Sequence, residues 1–152
     1  MSIVGIGIQS ASFVVAMAAP VKFSTPSESV RSFVLAAIVL ALGVAGALLF
    51  DRSAKALGAN WSLVARMREE HQLVREGPFA RMRHPIYFAM LLLLIALSIG
   101  LGHIWGLIAA IPLFVVGTLI RIREEERLLR QQFGDAYDSY ARETPAFIPF
   151  IG

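Results

Sequence analysis

Long uncharged runs, rather than narrow apolar stripes, organise this chain. From Ser32 to Phe50 nineteen residues pass without a charge. At about 1.5 Å of rise per residue, a helix of that length crosses a hydrocarbon core of roughly 30 Å. From Pro85 to Ile120 the uncharged run reaches thirty-six residues. As one helix it would measure roughly 54 Å and overshoot a bilayer, so it must fold back, and Gly100-Leu101-Gly102-His103 marks the break. The pattern predicts a helical hairpin over residues 85–120, with two short spans of about seventeen residues each, near the lower limit for crossing. Residues 3–19 form a third apolar stretch, a poorer span because it contains Gly5, Gly7, Gln9, Ser10 and Ser12. It reads as a further transmembrane helix. The alternative is a secretory leader ending at Ala16-Met17-Ala18, against which stands the lack of a basic start. Gly5 and Gly7 read as helix-packing glycines, because no third glycine completes a dinucleotide fingerprint.

Beyond Ile120 the helical pattern continues through charged residues to Gly134, which reads as a C-cap. A short helix with Tyr137 and Tyr140 follows, then a Pro-interrupted tail from Thr144 to Gly152 whose apolar end is expected to pack back on the membrane face. The expected architecture is all-α: a multi-pass integral membrane protein with about four transmembrane helices, including the tight hairpin, plus cytoplasmic C-terminal helices. It is read as one membrane domain over residues 1–152. Within it, residues 1–50 supply two N-terminal spans, and residues 51–152 form a core with the hairpin at 85–120 and the tail at 121–152.

Composition agrees. With 57% hydrophobic and 16% charged residues, too few polar side chains remain to cover a water-soluble globule. The absence of cysteine excludes disulfides, thiolate nucleophiles and Cys-ligated metals. Of the fourteen Lys and Arg, twelve lie in residues 51–83 or after residue 120; only Lys22 and Arg31 lie elsewhere. Basic residues gather on the cytoplasmic side, so both termini, the 51–83 segment and the tail are expected there. The net charge of +3 therefore records topology and does not point to nucleic acid.

A hairpin whose arms pack within roughly 10 Å brings its two ends together, so Arg83-His84-Pro85 and Arg121 to Glu126 are expected to share one site. Pro85 suits the first turn of a helix. Arg121 and Glu125, at i and i+4, share a helix face. The plain reading is a basic juxtamembrane loop with Arg81 and Arg83 near lipid phosphates, Tyr87 in the interfacial belt, and a solvated helix laced with ion pairs. Three consecutive carboxylates, Glu124 to Glu126, are more negative charge than anchoring requires.

The ordered combination His71-x-Leu73-Val74-x-x-Gly77-x-Phe79-x-x-x-Arg83-His84-Pro85-x-Tyr87, a hairpin, then Arg121-x-x-x-Glu125-Glu126-x-x-Leu129-x-x-x-Phe133-Gly134-x-x-Tyr137-x-x-Tyr140 resembles the isoprenylcysteine carboxyl methyltransferases. The related phospholipid methyltransferases share its Arg-His-Pro-x-Tyr and Glu-Glu elements. The resemblance covers Leu57 to Gly152. Ala89 stands where the family usually has glycine, and Phe79 replaces the common tyrosine. The resemblance implies S-adenosylmethionine bound at the cytoplasmic membrane surface without a Rossmann domain. Carried over residue by residue, it implies a cofactor site lined by His71, Gln72, Leu73, Val74, Phe79, His84, Pro85, Ile86 and Tyr87. Glu125 and Glu126 would hold the polar end of the cofactor, and Arg121 would face the substrate. No metal site is expected.

The expected activity is methylation of the carboxylate of a lipophilic or prenylated acceptor, which needs no general base. Three alternatives stay open: N-methylation of a phospholipid amine, a nicotinamide-dependent membrane reductase, and a lipid-binding or structural membrane protein without activity. Gly106, Pro112 and Gly117 in the second hairpin arm suggest sideways access of the acceptor from the bilayer, since they let helices part or approach closely.

Overall fold

Each apolar run becomes a helix. The computed structural model describes residues 2–18, 29–58 and 72–147. Among them are five α-helices: α1 (Ser2–Met17), α2 (Val30–Leu57), α3 (Pro85–Gly100), α4 (Leu107–Phe133) and α5 (Asp135–Glu143). Helix α2 starts where the Ser29 hydroxyl accepts the Ser32 N–H at 3.2 Å. It stops at Gly58, whose φ of 49° suits glycine. The hairpin breaks at the expected place: α3 ends at Gly100, a turn through residues 101–103 reverses the chain, and a single 3₁₀ turn (Ile104–Gly106) leads into α4. As expected, α4 runs on through its charged half to Gly134, at φ 50°, and α5 follows.

The helices form two antiparallel pairs. Helix α4 packs mainly on α1, with Gly106 against Ala16 at one end and Gly117 and Arg121 against Gly5 at the other. Helix α3 packs mainly on α2, with Gly100 against Val39 at one end and Ala89 and Leu93 against Gly46 at the other. The pairs join in a small core of Ala16, Leu94, Ala110 and Phe114, onto which Phe13, Met90 and Phe147 pack. This arrangement corrects one expectation. The two hairpin arms are not each other's principal partners; α3 and α4 touch little along their length. Glycine explains the preference. A Cβ on Gly106 would lie 2.3 Å from the Ala16 carbonyl oxygen, and one on Gly117 would lie 2.8 Å from the Gln9 nitrogen, so only hydrogen there lets α1 sit this close. Both glycines thus seat α1, the close approach of helices expected of them. Gly5 is a packing glycine as expected, whereas Gly7 has open space where its Cβ would be.

Helix α2 and the helical stretch Ile104–Phe133 are long and apolar enough to cross a membrane; Ile3–Met17 and Pro85–Gly100 are shorter apolar helices. The apolar side chains of α2 face outward along its length, including Phe33, Val34, Ile38, Leu40, Val44 and Leu48. So continuous an exposed apolar surface is unfavourable in water and suits lipid. Serines within the helices satisfy themselves locally: the hydroxyls of Ser12, Ser53 and Ser98 donate to the carbonyls of Gln9, Leu49 and Leu94 at 2.6–2.7 Å.

Candidate active site

The chain reversal after Gly100 puts the start of α3 and the charged half of α4 at the same end of the bundle, and a polar cluster forms between them. Its first part is the Arg83-His84 dipeptide. With Pro85 opening α3, the two preceding residues are held outside the helix. There the N–H groups of Arg83 and His84 donate to the carbonyls of Pro145 and Ala146, each at 2.9 Å. The C-terminal tail therefore clamps this dipeptide by its backbone. Phe147, next in the tail, sets its ring edge-on to Phe88 at 5.9 Å, so the tail packs back as far as the described residues extend; residues 148–152 lie outside them.

The second part is Glu126, whose side chain is only 11% exposed. It accepts from Arg83 Nε at 3.0 Å, lies 3.2 Å from His84 Nε2, and accepts from Arg130 Nη2 at 3.2 Å. Arg83 also donates through Nη1 to the carbonyls of Ala141 and Thr144, tying α4, α5 and the tail together. Burial alone would raise the Glu126 carboxyl. The His84 hydrogen bond and the Arg83 charge outweigh that and hold it down to about 2. Burial likewise opposes a charge on His84, but its bonds to Glu125 and Glu126 prevail and raise its pKa above the usual histidine value. In the imidazolium form both ring nitrogens donate, and both face carboxylates: Nδ1 lies 3.6 Å from Glu125 Oε2.

The third part is Glu125 with Tyr87 and Arg121. The Tyr87 hydroxyl donates to Glu125. Arg121 Nη2 stands 3.8 Å from Glu125 Oε1, and the guanidinium lies over the Tyr87 ring at 5.0 Å. His84 and Tyr87 stack at 5.9 Å. A quarter of the Glu125 side chain remains exposed. The cluster thus offers a partly open carboxylate beside two aromatic rings, and, one helical turn away, a buried guanidinium.

Of the residues singled out in the sequence, His84, Pro85, Tyr87, Arg121, Glu125 and Glu126 come together here, and Ile86, half-buried, lies among them in the first turn of α3. Gln72, Leu73 and Val74 lie in the irregular run before a 3₁₀ turn (Gly77–Ala80) that opens with Gly77 at φ 58°. Phe79 is buried in that turn, and its carbonyl accepts the Tyr140 hydroxyl at 2.7 Å. His71 lies outside the described residues. Ala89 is fully buried at the level where Gly46 of α2 comes close. Two residues play a larger part than the sequence suggested. Arg83 is bound to Glu126 instead of facing lipid phosphates, and Gln9 of α1 accepts from Arg121 Nη1 at 3.1 Å. The available signal for Gln9 was an amide inside an apolar span, which is costly unless it has a partner.

Sequence comparison assigns this arrangement of apolar helices and polar cluster to a family. Residues 29–136 match the phospholipid methyltransferase family, and the chain belongs to it. That family uses S-adenosylmethionine as methyl donor. Among curated relatives, the chain is 35% identical over 86 residues to protein-S-isoprenylcysteine O-methyltransferase B of Arabidopsis thaliana, covering 57% of this chain and 44% of that one. It is 32% identical over 117 residues to the cobalt-zinc-cadmium resistance protein CzcN of Cupriavidus metallidurans, covering 74% and 50%. It is 30% identical over 90 residues to protein-S-isoprenylcysteine O-methyltransferase of Schizosaccharomyces pombe, covering 59% and 38%. The chain spans half the length or less of these relatives.

Proposed function

We propose that this chain is an S-adenosylmethionine-dependent membrane methyltransferase that methylates the carboxylate of a lipophilic acceptor such as an isoprenylated cysteine. The observation that carries the reading is the placement of Arg121 and Glu125 one helical turn apart beside the His84–Tyr87 stack. Glu125, partly exposed and flanked by aromatic rings, fits a cationic ligand. Arg121 offers a guanidinium suited to a carboxylate. When bound, S-adenosylmethionine supplies a methyl group on a sulfonium, which passes to the acceptor oxygen as the carbon–sulfur bond breaks and its electron pair returns to sulfur.

The chain's own residues act by placement. Glu125 faces the cation, with Tyr87 and His84 fixing that carboxylate. Arg121 holds the acceptor head on the same face. The surrounding helices bury Arg121 and most of Glu125, which strengthens both electrostatic contacts. In this reading α1 to α4 are four spans. The end of the bundle bearing the cluster, where most basic residues gather, faces the cytoplasm.

The family's description favours one second reading, N-methylation of a phospholipid amine. A guanidinium beside the acceptor suits an ammonium poorly. Incubating the detergent-solubilised protein with methyl-tritiated S-adenosylmethionine and either N-acetyl-S-farnesylcysteine or phosphatidylethanolamine decides between them. A methyl ester releases volatile methanol in base, whereas an N-methyl group does not. Base-volatile label from the prenylated acid is the expected result; base-stable label in the phospholipid would replace the reading.

A further inference from the structure

Helix α1 lies outside the residues that match the family, yet it reaches the site. Gln9 is 1% exposed and sits in an apolar helix. Its Nε2 donates to Thr118 Oγ1 at 2.8 Å, and its Oε1 accepts from Arg121 Nη1 at 3.1 Å. The guanidinium, which only donates, fixes which way the amide faces; the Thr118 hydroxyl holds the other side of the amide, and the amide in turn holds one edge of the guanidinium. The Tyr87 ring fixes its plane from the side of α3. Glycine makes this reach possible: Gly117 admits the α1 backbone at Gln9, and a Cβ on Gly5 would lie 2.6 Å from Arg121 Cγ.

We propose that Gln9, held by Thr118, is a positioning residue that aims the Arg121 guanidinium at the anionic head of the acceptor, so that α1 confers selectivity for acids. The proposal rests on the methyltransferase reading for its acceptor. Its central feature is that the partner is neutral. An amide oxygen orients a guanidinium without adding a second full negative charge beside it, so Arg121 keeps attraction for an incoming carboxylate. A glutamate in the same place would make as good a hydrogen bond while competing with the acceptor for the same charge. An amide buried in an apolar helix is otherwise explained as an interhelical tie. The two roles separate by experiment, because glutamate preserves the tie.

The test compares wild type with Gln9→Glu and Thr118→Val in detergent. The probes are N-acetyl-S-farnesylcysteine and its carboxamide, which keeps the prenyl group and lacks the charge. Equilibrium binding of each probe is read without cofactor, S-adenosylmethionine binding is read separately, and methyl transfer gives KM and kcat. Gln9→Glu is expected to weaken binding of the acid at least about tenfold and to raise its KM in parallel, leaving kcat within about threefold. Carboxamide binding and S-adenosylmethionine affinity should also stay within about threefold. Thr118→Val, which releases the amide without adding charge, is expected to weaken acid binding by a smaller factor in the same direction. Equal affinity of wild type and Gln9→Glu for the acid overturns the proposal, as does an equal loss for acid and carboxamide. If Gln9→Glu does not fold, unchanged acid binding in Thr118→Val overturns it. Loss of S-adenosylmethionine binding in wild type would instead defeat the methyltransferase reading, which the cofactor-free measurement keeps separate.

Discussion

Glu125 and Glu126 are neighbours in sequence that do different work, with the His84 ring between them, Nδ1 at 3.6 Å from the first and Nε2 at 3.2 Å from the second. Glu126 is engaged by Arg83, His84 and Arg130 and is nearly buried; Glu125 keeps a quarter of its side chain open. One carboxylate therefore ties the site together and the other keeps an open edge.

That division predicts unequal outcomes for two alanine substitutions. Glu126→Ala leaves the Arg83 charge without its carboxylate at a largely buried position and takes one of two carboxylates from His84, and breaking a buried ion pair costs about 3–5 kcal/mol. A large drop in the thermal midpoint in detergent is expected. Glu125→Ala, at a carboxylate that is a quarter open, should lower it by clearly less. Similar midpoints for the two variants would contradict the division.

The same pair sets a pH dependence. The Glu126 carboxyl is depressed, so its stabilisation is present above its ordinary value of 4.5 and is lost as pH falls toward about 2. The His84 imidazole is raised, so its stabilisation is fully present below 6.5 and fades as pH rises through the higher folded value. Thermal midpoints should therefore be highest between about pH 4.5 and 6.5 and decline above that range. In His84→Gln the alkaline decline should flatten, as a melting series from pH 4 to pH 9 can show.

Helix α1 is held by glycine contacts, which makes its attachment sensitive to single methyl groups. Gly106→Val places carbon against the Ala16 carbonyl, and overpacking of this kind costs about 1–3 kcal/mol or more. Gly7→Val adds its side chain where nothing stands within 4 Å. The first variant should lower the melting midpoint and the second should leave it nearly unchanged.

Arg121→Lys replaces a planar fork with a point charge, losing the Gln9 bond geometry and the stacking on Tyr87. The expected result is a KM for the prenylated acid raised at least about tenfold, equivalent to about 1.4 kcal/mol, with cofactor affinity within about threefold. An arginine serving only as a membrane anchor would tolerate lysine, and unchanged kinetics would remove it from the acceptor site.

Much of this arrangement was legible in the sequence because length and charge are read directly. The break at Gly100 to His103, the continuation of α4 past Ile120 and the cap at Gly134 each follow from residues whose local chemistry leaves few options. The meeting of His84 with Glu126 followed from topology. Helix pairing did not: whether α4 packs on α3 or on α1 depends on which glycines face which backbone, and periodicity in an apolar helix says little about facing. For the same reason Gln9 read as a blemish in a span, since its partners, Thr118 and Arg121, lie more than a hundred residues away in sequence. The tail clamp on Arg83 and His84 uses backbone groups, which side-chain motifs do not reveal.

The most direct measurement is an equilibrium titration of the detergent-solubilised protein with S-adenosylmethionine, with NADPH as control, on wild type and Glu125→Gln. This substitution keeps the shape of the side chain and removes the charge that is proposed to face the cation. Saturable binding of S-adenosylmethionine but not NADPH by wild type, weakened at least about tenfold in a Glu125→Gln protein of unchanged thermal midpoint, is the expected result. Absence of S-adenosylmethionine binding in wild type, or equal affinity in the two proteins, would contradict the assignment of the cluster as the cofactor site.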